Sequence, residues 1–350
     1  MNLRVGLPAH PLLSSASPST INQTVLITGC PDGGLGASLA SVIHKRGDYK
    51  VFATARNPEK MASLQAIGIM TLSLDVSSDA SVAACASELS KLTGGSLDIL
   101  VNNAGAGYNM PLLDVDLNEF SKQFDLNVLS LLRVTRGFIS LLHHSNRPQG
   151  ALLVNHTSMV STLPMPFQGP YSASKAAAGS MTECLRLELQ MFNIQVIDLK
   201  TGLCKSGFFD NVHAPRLPAD SYYAKQRDLV EKRLKDGPTG TAITADEWAE
   251  QVAKDLSYAQ PSPVIYRGGG AFLGRVASSN PIGLGFKDNL IKDVSGLKEV
   301  ETGGRLSEVR QWLTRGSMAL RCRIRLKCIR DYQISGSHIA LDSFSVFLTW

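Results

Sequence analysis

An α/β fold built on a doubly wound parallel sheet is predicted for this chain by three observations. Short β-branched apolar runs alternate with longer amphipathic stretches from Thr24 to about residue 270. A glycine-rich turn, Thr28-Gly29-Cys30-Pro31-Asp32-Gly33-Gly34-Leu35-Gly36, joins the first run to the first helical pattern. The 350 residues are 44% hydrophobic and 19% charged, with mean hydropathy near zero, which suffices to bury a sizeable core.

The strands follow in order. Residues 24–28, 50–55, 69–74, 98–101, 151–155, 195–198 and 263–266 are apolar and rich in Val, Ile, Leu and Thr, as strands covered on both faces require. Between them, the 3.6-residue period predicts helices over 35–46, 79–92, 117–143, 171–192 and 244–257. Residues 203–243 break the rhythm, mixing Phe208, Phe209, Tyr222 and Tyr223 with Pro and charges, and read as a substrate loop. The chain thus divides into a disordered arm over 1–21, a catalytic domain over 22–270, and a divergent tail over 271–350. In the tail, Arg321, Arg323, Arg325 and Lys327 alternate with Cys322, Ile324, Leu326 and Cys328.

The formal charge of +5 belongs to the tail: residues 266–350 hold 13 Lys/Arg against 7 Asp/Glu, the remainder 22 against 23. A basic tail attracts phosphates or an anionic lipid surface, so a peripheral membrane contact is one expectation. Nucleic acid is not expected as a partner, because these basic residues lack neighbouring aromatics and any recognised binding module. The six cysteines, at 30, 85, 184, 204, 322 and 328, form no CxxC pair and suit reduced thiols. No metal site is read, no run reaches the ~18 apolar residues of a spanning helix, and residues 1–20 lack the core of a signal peptide. The protein is therefore expected not to be secreted.

A glycine turn between strand and helix lets backbone approach a pyrophosphate, whose charge meets free N–H groups at the helix N-terminus. Thr28, Gly29, Gly33, Gly34, Leu35 and Gly36 are the residues in place for this. The second strand ends in Ala53-Thr54-Ala55-Arg56, with no acidic residue to hold a ribose 2′-hydroxyl and a guanidinium suited to a 2′-phosphate. NADP(H) is therefore the expected cofactor. Asp75, after the third strand, is placed to bond the adenine amino group, and Asn103, Ala104 and Gly105, after the fourth, combine a bracing amide with small residues that admit the cofactor.

Tyr171 and Lys175 lie four residues apart at the start of a predicted helix, hence on one face. A phenol titrates near pH 10, and an adjacent ammonium is expected to lower that value toward neutrality. Ser158 ends the fifth strand, where its hydroxyl can hold a substrate oxygen beside the phenol. Asn127, a polar residue among Leu and Val inside the predicted long helix, calls for a buried partner such as a water leading to Lys175.

These residues, taken together and in order, resemble the short-chain dehydrogenase/reductases, and the resemblance covers about residues 22–270. It implies a Rossmann-like domain in which Tyr171 transfers the proton, Lys175 lowers its pKa and binds the nicotinamide ribose, Ser158 orients the substrate oxygen and Asn127 maintains a water relay. Thr201-Gly202 stands where the family usually has Pro-Gly, and Ser206 where a Thr usually bonds the carboxamide. Association through the helices at 117–143 and 171–192, giving a homo-oligomer, is likewise implied.

Within the family the chain looks most like fungal NADPH-dependent 1-acyldihydroxyacetone-phosphate reductases, through Tyr-Ser-Ala-Ser-Lys-Ala-Ala, Phe-Asn-Ile and the close at Val264–Gly268. That likeness implies a place in the cytosol or on the cytosolic face of the endoplasmic reticulum or a lipid droplet. The turn holds one residue more than the usual Thr-Gly-x-x-x-Gly-x-Gly, Ser161 replaces a Gly, and the apolar segment that follows the last strand in those reductases is here Gly-rich and then basic.

The function expected is reversible hydride transfer between NADPH and a ketone of a hydrophobic substrate. That substrate is either an acyl-dihydroxyacetone phosphate or a polyketide, terpenoid or steroid-like metabolite. A catalytically silent NADP(H)-binding protein is the rival from another class. Arg216, Lys225 and Arg227 are candidates to meet a substrate phosphate, and Met110, Leu163, Met165, Phe167 and Phe208 to line an apolar pocket.

Overall fold

A computed structural model describes residues 23–208, 212–279, 284–301 and 303. The expected arm at 1–21 and the alternating basic segment at 321–328 lie outside the described residues.

Nine strands are found among the described residues: β1 (Thr24–Ile27), β2 (Lys50–Ala55), β3 (Met70–Ser73), β4 (Ile99–Asn102), β5 (Ala151–His156), β6 (Ile194–Thr201), β7 (Cys204–Lys205), β8 (Ile243–Thr244) and β9 (Val264–Arg267). The helices are α1 (Leu35–Arg46), α2 (Ala62–Ala66), α3 (Asp79–Thr93), α4 (Leu117–Phe124), α5 (Ser130–His143), α6 (Gly169–Glu188), α7 (Arg227–Asp236), α8 (Ala245–Leu256), α9 (Ala271–Ser279), α10 (Leu284–Ser295) and α11 (Leu297–Glu301). Seven strands pair in parallel in the order β3-β2-β1-β4-β5-β6-β9, and each of the seven predicted runs supplies one of them.

Apolar side chains alternate between the two faces of this sheet. Val25, Ile27, Val51, Ala53, Val154 and Leu199 pack on one side against α1 and α8, with Leu39, Ile43, Trp248 and Val252 fully or nearly buried. Leu26, Phe52, Leu100, Leu153 and Val196 pack on the other against α3, α5 and α6, through Leu89, Phe138 and Leu185. The result is the three-layer, doubly wound architecture that the sequence predicts. The order reverses between β1 and β4, so their carboxyl ends open the crevice where ligands of such sheets bind.

Local signals set the helix ends. Gly34 caps α1, whose last turn carries His44, Lys45 and Arg46 before Gly47 takes a left-handed φ of 78°. Asp116 accepts the Asn118 and Glu119 N–H groups to start α4, and Thr244 and Glu247 form a reciprocal capping box on α8.

One expectation is corrected. The single helix expected over 117–143 is interrupted by a π-helical turn, Asp125–Leu129, that carries Asn127 inward and Arg133 onto Asp125 at 2.9 Å. Past residue 270, α9 begins directly after Gly270, and Thr239 donates its N–H and its hydroxyl to the Val294 carbonyl, tying α10 to the insertion. The insertion at 203–243 contains α7 and is closed at its base by parallel pairing of β7 with β8, Cys204 opposite Ile243.

Candidate active site

The glycine-rich turn leaves β1 pinned to β4. The Thr28 hydroxyl accepts the N–H groups of Asn103 and Ala104, both at 3.0 Å, while Asn103 Nδ2 donates to the carbonyls of Thr28 and Gly29, both at 2.8 Å. Gly36 must be glycine because a Cβ there would stand 2.5 Å from Asn103 Nδ2 and 2.6 Å from the Gly29 carbonyl. Gly33 has φ of 81° and faces open space, and Gly34 caps α1 without any side-chain bond to its first N–H groups. Open space before unpartnered helix N–H groups fits the pyrophosphate of a dinucleotide. The extra residue in the turn is accommodated by Asp32, which accepts the Ser63 N–H at 3.3 Å and also its hydroxyl. Leu35 opens α1, half-buried.

Arg56 is exposed immediately after β2, and Asp75 stands half-buried after β3, one of its oxygens accepting the Ser77 N–H at 3.0 Å. Beyond β4, Gly105 lies between Asn127 and Lys175: a Cβ on it would be 3.0 Å from Asn127 Oδ1 and 3.6 Å from Lys175 Nζ. The loop after β7 returns to the turn, with Gly207 N–H donating to the Gly33 carbonyl at 3.2 Å, and this sets Ser206 beside the glycines.

The four expected catalytic residues gather at the carboxyl ends of β4, β5 and β6. Ser158 follows β5; its hydroxyl accepts the Val160 N–H and donates to the Thr201 carbonyl, both at 3.3 Å. Tyr171 and Lys175 share one face of α6, with Lys175 Nζ 5.9 Å from the phenol ring centre and donating to the His156 carbonyl at 2.8 Å. Burial pulls the Lys175 ammonium down to about 8, and the Asp198 carboxylate opposes this. Asn127 accepts the Ala106 N–H at 3.0 Å and donates to the Ala106 carbonyl at 2.9 Å and to Ser174 Oγ at 3.0 Å. Its side chain therefore braces the β4 loop against α6.

The lowered pKa expected for Tyr171 is corrected: burial pushes the phenol up to about 12, against which its hydrogen bond with Ser158 is the opposing influence. The Phe208 ring packs against the Tyr171 ring, 5.5 Å between centres and 50° between planes. Phe208 also touches Gly107, and Phe167 meets Tyr223 edge-on at 6.1 Å. Met110, Leu163 and Phe167 are buried on this side, Met165 half-buried. Of the basic residues offered for a substrate phosphate, Arg227 is committed to the chain itself, donating to the carbonyls of Leu217 and Pro218 at 2.6 Å each and pairing with Glu231. Arg216 and Lys225 are exposed.

Four side chains that the sequence reading passed over line the underside of the site. His156, Trp248 and the Thr201 hydroxyl form one buried group, and Lys200 pairs with Asp198 at 2.7 Å while donating to Ser161 at 2.8 Å. The signal for His156, Asp198 and Lys200 was present: polar residues within β5 and β6, at strand ends where parallel sheets place their ligand sites, whereas Trp248 lies on α8, where nothing local marked it.

Comparison with known proteins agrees with this geometry. The model of the short chain dehydrogenase family matches residues 23–216. A short-chain dehydrogenase/reductase of Pestalotiopsis microspora is 43% identical over 289 residues, 81% of this chain and 98% of that one. An NADPH-dependent 1-acyldihydroxyacetone phosphate reductase of Schizosaccharomyces pombe is 38% identical over 236 residues, 66% and 77% of the two chains. Among solved structures, a short-chain dehydrogenase from Streptomyces avermitilis superposes with a TM-score of 0.62 at 23% identity, covering 80% of this chain and 98% of that one, which shows the shared fold. The chain belongs to the short-chain dehydrogenase/reductase family of oxidoreductases.

Proposed function

We propose that this protein reduces a ketone on a hydrophobic substrate with NADPH, and that the same residues run the reverse oxidation. The observation that carries this reading is the convergence of Ser158 and Lys175 on the Tyr171 phenol, against which the Phe208 ring packs. A bound NADPH would supply the hydride to the carbonyl carbon. Tyr171, protonated at neutral pH, gives its proton to the carbonyl oxygen, and Ser158 holds that oxygen by hydrogen bond as negative charge develops. Lys175, fixed by the His156 carbonyl, brings positive charge to the phenol as it ionises.

Thr28, Gly29, Gly33, Gly34, Leu35 and Gly36 would receive the pyrophosphate, Arg56 the 2′-phosphate and Asp75 the adenine. Asn103, Ala104 and Gly105 would wall the ribose with Tyr171 and Lys175, and Thr201, Gly202 and Ser206 would meet the nicotinamide. The NADPH dependence of the fission-yeast relative supports this choice of cofactor. A homo-oligomer joined through α4, α5 and α6 belongs to the same reading, supported by exposed Leu117, Leu129, Leu187 and Met191.

The commitment of Arg227 within the insertion and the packing of Phe208 on Tyr171 favour an unphosphorylated substrate. An acyl-dihydroxyacetone phosphate is the second reading, supported by the 38% identity to a reductase of that compound. The test is nicotinamide oxidation by full-length protein with NADPH and NADH, on acyl-dihydroxyacetone phosphate beside a panel of aromatic and alicyclic ketones. Turnover with NADPH on unphosphorylated ketones is expected. Preference for the phosphorylated lipid would favour the second reading, and nucleotide binding without turnover on any ketone would overturn the enzymatic one.

A further inference from the structure

An unbroken polar chain runs beneath the site from the glycine-rich turn to the end of β6. Asn103 uses both amide protons on the carbonyls of Thr28 and Gly29, which leaves its Oδ1 to accept from His156 Nδ1 at 2.9 Å. His156 Nδ1 must then carry the proton, because an amide oxygen only accepts. On the far side of the ring, His156 Nε2 lies 2.6 Å from the Thr201 hydroxyl, and that hydroxyl accepts the Trp248 indole N–H at 3.1 Å. With Trp248 donating to Thr201, the Thr201 proton is available to His156 Nε2. Every donor in the chain has an acceptor only if the imidazole is neutral.

The ring is held face-on against Trp248, 5.2 Å between centres and 21° between planes, and the residue is 8% exposed. Burial and the nearby Lys175 ammonium push its pKa down to about 3, in keeping with the neutral ring. The main chain of the same residue accepts Lys175. Thr201 leads into Gly202, Leu203 and the loop that returns at Gly207 to the Gly33 carbonyl. His156 thus stands between the segment assigned to the pyrophosphate and the segment assigned to the nicotinamide.

We propose that His156 is a positioning residue which, through Asn103 on one side and Thr201 on the other, sets the glycine-rich turn and the 201–207 loop at the separation that NADP(H) binding requires. A buried histidine serving packing alone would affect stability; a spacer between two halves of a cofactor site affects affinity as well. The inference rests on the NADP(H) reading above.

The test is a two-site cycle in the full-length protein. His156→Phe keeps a flat ring against Trp248 and removes both ring hydrogen bonds; Thr201→Val keeps the shape and removes the hydroxyl. NADPH Kd is measured by fluorescence for wild type, both single variants and the double variant, with thermal midpoints and kcat at saturating NADPH. Each single change is expected to weaken NADPH binding about tenfold, the size of one net hydrogen bond, with a smaller effect on kcat. The double variant is expected to bind no more weakly than the worse single one, since both changes cut one chain. Variants that lose thermal stability while keeping NADPH Kd within about twofold, or single effects that multiply in the double variant, overturn the proposal. Should His156→Phe not fold, Thr201→Val alone decides, because an unchanged Kd there refutes the coupling. Wild-type protein that binds no NADPH would overturn the cofactor reading and this inference with it, whereas binding by wild type unaffected by either change would overturn only the role of His156.

Discussion

Lys175 Nζ donates to the carbonyl of His156 at 2.8 Å, so the buried cation of α6 is tethered to the last residue of β5, two positions before Ser158. The tether fixes where the positive charge sits, and burial fixes when it is present. With its pKa brought down to about 8, Lys175 is charged below that pH and loses its proton as pH rises through it. If the ammonium serves ribose binding and phenol ionisation, kcat/KM for NADPH falls on the alkaline side with an apparent pKa near 8, the free-enzyme value that this ratio reports. A profile flat to pH 9.5 would remove Lys175 from that role.

Tyr171 titrates on the other side of the working range. Pushed up to about 12, the phenol stays protonated wherever the enzyme is assayed and is ready as an acid for reduction. Tyr171→Phe is expected to lower kcat roughly 10²–10⁴-fold, the usual weight of a positioned general acid, while NADPH Kd changes little. Near-normal turnover would sink the assignment.

The sequence made the sheet legible because its inner strands are buried on both faces and must be almost continuously apolar; β2, Lys50–Ala55, was predicted to the residue. The tetrad and the turn were legible because their chemistry demands particular residue types at particular separations. What stayed hidden depends on contacts distant in sequence. The π-helical interruption at Asn127 lies where that side chain bonds Ala106 and Ser174 together, and no local pattern announces those contacts. The raised Tyr171 pKa comes from burial, and the residues packed on the ring include Phe208, 37 positions away. His156 falls just past the strand predicted over 151–155, and its partners Asn103, Thr201 and Trp248 are all distant from it in sequence.

Arg56 separates the two nicotinamide cofactors. It is exposed after β2, with no acidic residue at the strand end, so a 2′-phosphate there would gain charge-assisted hydrogen bonds that NADH cannot offer. Arg56→Ala is expected to raise KM for NADPH by about 10–100-fold, the weight of one or two such bonds, and to leave KM for NADH nearly unchanged. Equal effects on both cofactors would move the 2′-phosphate contact elsewhere.

Asp98 offers a stability test remote from the chemistry, at the opposite end of the sheet. Fully buried just before β4, its carboxylate accepts the Thr24 N–H at 2.7 Å and hydroxyl at 3.1 Å through one oxygen. The other oxygen accepts from Ser145 Oγ and the N–H groups of Asn146 and Arg147 at 2.7–3.1 Å. A carboxylate can accept from all of these because it has no proton to place. Asp98→Asn keeps the shape but turns one acceptor into an NH₂ group facing donors, stranding at least one buried pair on one side. A loss of about 2–4 kcal/mol is expected, read as a fall in Tm of roughly 3–7 °C for a domain of this size. Because the site lies at the carboxyl ends of the strands, NADPH Kd measured well below the new Tm should stay unchanged. A midpoint within about 1 °C of wild type would mean that this junction between β1, β4 and the end of α5 does not hold the sheet as the hydrogen bonds indicate.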